Sequence, residues 1–316
     1  MDLPASYANY ALPDIRFAHH PASAAAVTPV VVVLLDRPAA HNAFSPAMAQ
    51  SLITAFDLLS RDPRVRCVVL AGGDPRNRVF CAGADLDLGF PTGTDTHTNH
   101  RDAGGAVSLA IYRCHKPVVA ALNGSAVGVG LTMTLPADIR VAAGGTDGVT
   151  GAAGAKYGFV FARRGLVMEA CSSYFLPRLV GTAAAVYLTT TGAALPATHK
   201  MLAPLFAETV APAQVLPTAL GIAADIAAHT SPVSTRLMKD LLYRGHPATP
   251  EEAHLRESSL LFQRFHSRDL AEGVASFKAR RPPQFTDTMA DGGPVDWPWW
   301  DTEILARADA AEKAKL

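Results

Sequence analysis

The stretch Val79-Phe80-Cys81-Ala82-Gly83-Ala84-Asp85-Leu86 is composed to offer backbone N–H groups to a ligand, because alanine and glycine leave nothing bulky between main chain and solvent. It follows an apolar run, Arg66 to Ala71, that reads as a buried strand ending in the turn Gly72-Gly73-Asp74-Pro75. A strand that stops in a small-residue loop is where α/β sheets place their ligands. A second stretch, from Lys116 to Gly130, repeats the logic: Val118 to Leu122 form a strand, and a glycine-punctuated turn leads into an apolar helix. Helix N-termini carry free N–H groups and partial positive charge, so this turn suits an oxyanion. Two such turns can donate to one carbonyl oxygen. Other chemistries find less support. Ser125 has no G-x-S-x-G element around it, and His115, His199 and His246 lack an acid at a suggestive spacing. Cys67, Cys81, Cys114 and Cys171 are scattered without C-x-x-C spacing, so no metal site is expected and all four read as reduced core residues.

The elements that must position these turns are legible in outline. Ile15 to Ala18 and Val30 to Leu35 read as the strands of a hairpin, followed by an irregular turn from Asp36 to Phe44. Ser45 is an N-cap with Pro46 at the first helical position, and Met48, Leu52, Phe56 and Leu59 fall on one face of the helix that follows. A helix is expected from Ala106 to His115, a short one from the Gly124 turn to Leu135, and a strand over 138–143. Gly144 to Ala155 reads as a glycine-rich surface insertion. Helical patterns then dominate, over 172–180, 182–190, 213–229, 234–244, 251–265 and 270–281, with prolines between them. The aromatic patch Asp296-Trp297-Pro298-Trp299-Trp300 should pack against its own domain or a neighbouring subunit. The class is α/β, divided into a loose N-terminal arm (1–13), a core (14–230), a C-terminal helical region (231–285) and an aromatic tail (286–316).

At 316 residues and 49% hydrophobic content the chain can bury a large core. Its 28 acidic and 28 basic side chains balance, with no block of like charge, so a nucleic-acid partner is not expected. No apolar segment approaches the ~20 residues of a membrane span.

Taken together, "FCAGADL", "ALNGSAVGVG", "LDRPAAHNAFS" upstream and "RRGLVMEACSSYFLPRLVG" downstream resemble the crotonase superfamily, the enoyl-CoA hydratases and isomerases, in the family's own order from about Val30 to Phe285. The resemblance implies a spiral of β-β-α units with two sheets, capped by C-terminal helices that build a homotrimer or homohexamer. It also implies an acyl-CoA thioester as substrate, with coenzyme A entering only as part of it and no other cofactor. The thioester oxygen, negative in the transition state, would be held by the N–H groups of Ala84 and Val129, each worth ~3 kcal/mol of barrier.

The acid/base residues depart from the hydratases of this superfamily, which use two glutamates to split water. At the corresponding places stand Thr132 and Phe161, neither of which carries a proton at neutral pH. One carboxylate remains, Glu169, placed like the lone glutamate of the Δ3,Δ2-enoyl-CoA isomerases; the apolar Phe161, Leu166, Val167 and Met168 around it would raise its pKa on burial. Read without the resemblance, Glu169 is an ordinary acid at a helix start. The resemblance assigns coenzyme A to Ala39, Ala40, His41, Ala82 and Leu86, with Phe277 and Arg280 closing over the nucleotide. Leu88, Phe90, Thr132 and Phe161 are candidates for the acyl pocket. Asp85 is assigned to support of its loop. The final Ala314-Lys315-Leu316 is a variant of the Ser-Lys-Leu peroxisomal address, so the expected location is the peroxisome, otherwise the cytoplasm. Three functions remain open: double-bond isomerisation through Glu169, hydration or another enolate reaction on a specialised acyl-CoA, and a non-catalytic CoA-binding subunit.

Overall fold

Strands β1 (Ile15–His20) and β2 (Val30–Leu35) form the expected hairpin, with Phe17 opposite Val33 in antiparallel register. The six residues of β2 are all buried, as a run of Val and Leu covered on both faces requires. Helix α1 (Pro46–Arg61) starts at Ser45, whose Oγ accepts from Met48 N–H at 3.0 Å, and it buries Met48, Leu52, Phe56 and Leu59. After it come β3 (Cys67–Gly72), β4 (Val79–Cys81), α2 (Ala103–Arg113), β5 (Val118–Leu122), β6 (Ser125–Val127), α3 (Val129–Thr132), β7 (Ile139–Ala143), β8 (Tyr157–Gly158), α4 (Ser172–Val180), α5 (Thr182–Thr191), β9 (Glu208–Val210) and α6 (Pro212–His229). The remaining helices are α7 (Pro232–Arg244), α8 (Pro250–Arg264), α9 (Arg268–Ala279) and α10 (Met289–Gly292). The structure is a computed structural model that describes residues 3–89, 93–144, 154–245 and 247–301. Phe90, His246, most of the Gly144 to Ala155 insertion and Ala314-Lys315-Leu316 lie outside the described residues.

Two sheets organise the first part of the chain. One has six strands in the order β1-β2-β3-β5-β7-β9, parallel beyond the first hairpin, and the other has three parallel strands in the order β4-β6-β8. Each of β3, β5 and β7 in the large sheet is followed in sequence by a short strand of the small one, which is the repeating unit of the crotonase spiral. Asn123 fastens two repeats: its side chain accepts from Gly72 N–H and donates to Gly72 C=O, both at 2.9 Å. The buried side chain of Asn123 thus replaces a ladder partner where β3 and β5 end.

One expectation is corrected here. The N-terminal segment is not a loose arm: Tyr7 is fully buried, its ring 5.4 Å from that of Phe17 and its hydroxyl donating to Asp62 at 3.1 Å. One aromatic anchor among small residues makes no periodic pattern, so it escapes a reading by period. Strand β9, with exposed Glu208 and Thr209 and half-buried Val210, lies at the edge of the large sheet in a stretch for which no element was expected, since three residues carry no period.

The chain divides into two units, Met1–Ala224 and Asp225–Leu316, with the division inside α6 rather than at the Thr230 to Pro232 break. In the second unit Val233, Leu237, Leu260 and Trp299 form a core, joined by Leu241, Met289, Trp297 and Trp300. The aromatic patch at Trp297, Trp299 and Trp300 therefore packs within its own unit, and Trp297 Nε1–H donates to Asp240 at 2.9 Å.

Candidate active site

The Ala84 loop is a consequence of β4 ending beside the Asp36 to Phe44 turn. Phe44 N–H donates to Gly83 C=O at 2.8 Å and Asp85 N–H to Phe44 C=O at 3.0 Å. Because Gly83 and Asp85 face Phe44, the Ala84 N–H between them points the other way, and it donates to no acceptor among the described residues. Asp85 accepts from Arg37 at 2.9 Å and from Asp87 N–H at 3.2 Å, so its carboxylate is bound into the loop. Arg37 also donates to Ala43 C=O at 2.6 Å, which makes it the second anchor of the turn.

Val129 opens α3, and its N–H is one of the first-turn donors that a helix leaves unspent. Among the described residues it too has no acceptor, whereas Gly128 N–H donates to Gly158 C=O at 2.9 Å and Thr132 N–H to Gly128 C=O at 3.0 Å. Gly128 has φ +55° and ψ −132°, a conformation open to glycine alone at ordinary cost. The two turns touch: a Cβ on Gly83 would lie 3.0 Å from Val127 O, and one on Gly128 would lie 4.0 Å from Gly83 Cα. Ala84 and Val129 both line a cavity of about 630 Å3 in the first unit.

Glu169 lines the same cavity. Its backbone precedes α4 through two consecutive left-handed non-glycine residues, Ala170 and Cys171, both at φ +56°. This kink turns the carboxyl toward α3 and α2. Thr132 Oγ1–H donates to Glu169 Oε1 at 2.5 Å, and a Cβ on Gly104 would lie 1.9 Å from Glu169 Oε2 and 2.9 Å from Val129 Cγ2. The carboxyl and the Val129 turn are therefore immediate neighbours, and only glycine at 104 leaves room for both. Burial pushes the Glu169 pKa up to about 7; the Thr132 hydrogen bond opposes that, while the charge of Asp102 and a hydrogen bond shared with it add to it. No cation pairs with Glu169 or Asp102 among the described residues.

The remaining expected residues fall into three groups. Ala82, Leu86, Leu88 and Phe161 line the cavity with the turns. Ala39, Ala40 and His41 do not line it; they form an adjoining short turn whose His41 C=O accepts from Ala82 N–H at 3.1 Å. Phe277, 85% exposed, and Arg280, the exposed cap of α9, belong to the second unit. Thr132 is corrected: it is fully buried and does not reach the cavity, since its hydroxyl is turned to Glu169 and to Gly128 C=O. Asp102 and Gly104 are new to the site. An N-cap aspartate before Ala103-Gly104-Gly105 is a readable helix start, but its nearness to Glu169 comes from tertiary contact alone. Among the described residues no group of three His, Cys, Asp or Glu side chains is placed to hold a metal ion, and no helix is long and apolar enough to cross a membrane.

A family model described as Enoyl-CoA hydratase/isomerase matches residues 26–288. The chain is 46% identical over 263 residues to the enoyl-CoA hydratase AFT3-1 of Alternaria alternata, an alignment covering 83% of this chain and 84% of the relative. It is 45% identical over 261 residues to the enoyl-CoA hydratase ACTT3 of the same organism, covering 82% and 84%. Among solved structures, the enoyl-CoA hydratase of Bacillus anthracis aligns with a TM-score of 0.74 at 26% identity, covering 89% of this chain and 100% of that one.

Proposed function

The chain belongs to the enoyl-CoA hydratase/isomerase family, and on that footing we propose that it moves a double bond of an acyl-CoA thioester from C3 to C2, with Glu169 carrying the proton. The thioester oxygen accepts from the Ala84 and Val129 N–H groups, each worth about 3 kcal/mol against the developing charge. Glu169, as carboxylate, takes a proton from C2; the C–H electron pair enters a dienolate whose charge rests on that oxygen. The protonated Glu169 then returns the proton at C4, so the C3=C4 bond becomes C2=C3 with no atom gained or lost.

The observation that carries this reading is a carboxyl with a pKa of about 7 beside two unspent amides in one cavity. Near neutral pH both of its forms are populated, as a group acting as base and then as acid requires. Phe161 and the buried Thr132, standing where the hydratases of this family place their acids, give no second proton carrier at those positions.

Water addition to a 2-enoyl-CoA is the second reading. It is favoured by the hydratase names of the relatives at 45% and 46% identity, and by Asp102 as another carboxyl at the site. A panel of 3-enoyl- and 2-enoyl-CoAs, tested with the parent and with Glu169→Gln, decides. Conversion of 3-enoyl-CoAs that disappears in the variant is the expected result. Turnover untouched by the substitution removes Glu169 from the chemistry, and hydration alone selects the second reading. Tight CoA binding without any turnover would make the chain a binding subunit.

We also propose a homotrimer or homohexamer. Phe262, Phe265 and Phe277, exposed by 63%, 52% and 85% on α8 and α9, are apolar surface that a neighbouring copy would cover. The mass of the particle in solution checks this.

A further inference from the structure

Asp102 caps α2, and a cap needs only an acceptor. Its Oδ1 takes the Gly105 N–H at 2.5 Å and the Ala170 N–H at 3.2 Å, so one oxygen holds both the helix start and the residue after Glu169. Oδ2 receives no hydrogen bond from a described amide, hydroxyl or cation, although Asp102 lines the cavity that Glu169 lines. Serine or asparagine would serve the cap equally well. What aspartate adds is a negative charge beside another carboxyl with no cation paired to either among the described residues, which costs stability rather than supplying it.

The clasp on Ala170 has a second purpose. Ala170 and Cys171 both lie in the left-handed region, which costs about 1–3 kcal/mol for each non-glycine residue. The Ala170 bond to Asp102, with Ser172 N–H on Glu169 C=O at 3.0 Å, holds that kink in place. The kink is what swings Glu169 out of the α4 direction and onto the Gly104 gap.

We propose that Asp102 is a positioning residue for Glu169, clamping the strained turn that aims it and accepting, through Oδ2, the proton that Glu169 holds between its two transfers. The inference rests on the reading that Glu169 is the proton carrier. The other charged groups facing the cavity are engaged or peripheral. Asp85 is bound to Arg37 and Asp95 to His100; Arg101 donates to the Thr98 and His100 carbonyls, and Arg164, exposed, to Val160 C=O at 3.4 Å. The Cys171 thiol is pushed up by burial and by these two carboxyls against the opposing charge of Arg113 in the last turn of α2, and is uncharged at neutral pH.

Infrared titration of the full chain tests this without depending on the acyl chain. The band of protonated Glu169 is identified as the one missing from Glu169→Gln, and its midpoint is followed in the parent, in Asp102→Asn and in Asp102→Ser. Both substitutions keep a capping oxygen, so folding is preserved in at least one of them. Loss of the negative charge is expected to move the midpoint down by about one pH unit while the melting temperature stays near that of the parent. A midpoint that does not move in a folded variant overturns the inference. If instead the midpoint moves but Glu169→Gln keeps full turnover, the pairing stands and the proton-carrier role of Glu169 is what fails.

Discussion

Asp269 and Asp287 in the second unit, and Asp102 and Glu169 in the first, are both carboxyl pairs drawn close together, yet their surroundings differ in the one respect that decides what a buried acid can do. Asp287 accepts from Arg264 at 2.9 Å, from Arg268 at 2.8 Å and from the Asp269 amide at 3.2 Å. Asp269 in turn accepts from Ser231 and from the amides of Thr286 and Asp287. Burial alone would raise the Asp287 pKa, but these donors outweigh it and hold the carboxyl below its usual range. Glu169 has a single hydroxyl donor and another acid for company, so burial wins and its pKa rises to about 7. The first pair is matched and builds structure. The second is left unmatched, and an unmatched carboxyl near neutrality can pass a proton.

Removing the acid should produce the largest effect. In Glu169→Gln the amide can accept from Thr132 and donate to Asp102, so kcat is expected to fall about 10²–10⁴-fold while the fold gains stability. The sign follows from linkage. The folded pKa, about 7, lies above the ordinary 4.5, so the folded state holds a proton that the unfolded state releases, and the parent loses stability as pH rises through that window. Urea melts at pH 8 should show the variant more stable by up to about 3 kcal/mol, and the two should unfold alike at pH 4. Equal stability at pH 8 would mean that Glu169 is not desolvated. The opposite outcome is expected for Asp287→Ala, which strands Arg264 at 12% side-chain exposure. About 3 kcal/mol of stability should be lost at neutral pH, with kcat of the folded fraction unchanged. The parent's own Asp287 contribution is present above the ordinary pKa of 3.8 and disappears as acid takes the pH below it.

How far the site could be read in advance follows from which of its parts are local. The turns at Ala84 and Val129 announce themselves because small residues after a β-branched run are a short-range signal, and the Ser45 cap is legible for the same reason. Helix α2 was expected to begin at Ala106, but it begins at Ala103, since Ala103-Gly104-Gly105 shows no apolar face. That shortfall hid Asp102 and Gly104. Gly104 looks like a helix weakness in sequence, and only the 1.9 Å approach of the Glu169 carboxyl to its missing Cβ gives it a reason. Gly104→Ala sharpens the contrast between stability and function. The nearer obstacle is the far end of the flexible Glu169 side chain, the other is Val129 Cγ2 at 2.9 Å, and alanine is the better helix former, so the melting temperature should fall little. Displacing the carboxyl by roughly an ångström should cost ten- to a hundredfold in kcat. A fully active Gly104→Ala would show that the position of the Glu169 carboxyl is not critical.

The smallest effect is expected at the donor that opposes the shift. Thr132 has one O–H, and it is spent on Glu169 Oε1 at 2.5 Å with Gly128 C=O at 3.3 Å as its alternative. Its hydrogen bond favours the ionised form of Glu169, in the opposite sense to Asp102. In Thr132→Val the volume is nearly kept but the carboxylate loses its neutral donor, a change worth about 1 kcal/mol. The rise of kcat with pH should therefore move upward, where Asp102→Asn moves the same group downward, and kcat at neutral pH should fall by about fivefold or less. Measuring the two pH profiles side by side separates them from general damage, because a merely loosened site would shift both in one direction. Profiles that move apart would show that Glu169 is balanced between a hydroxyl that draws its proton off and a carboxylate that keeps it.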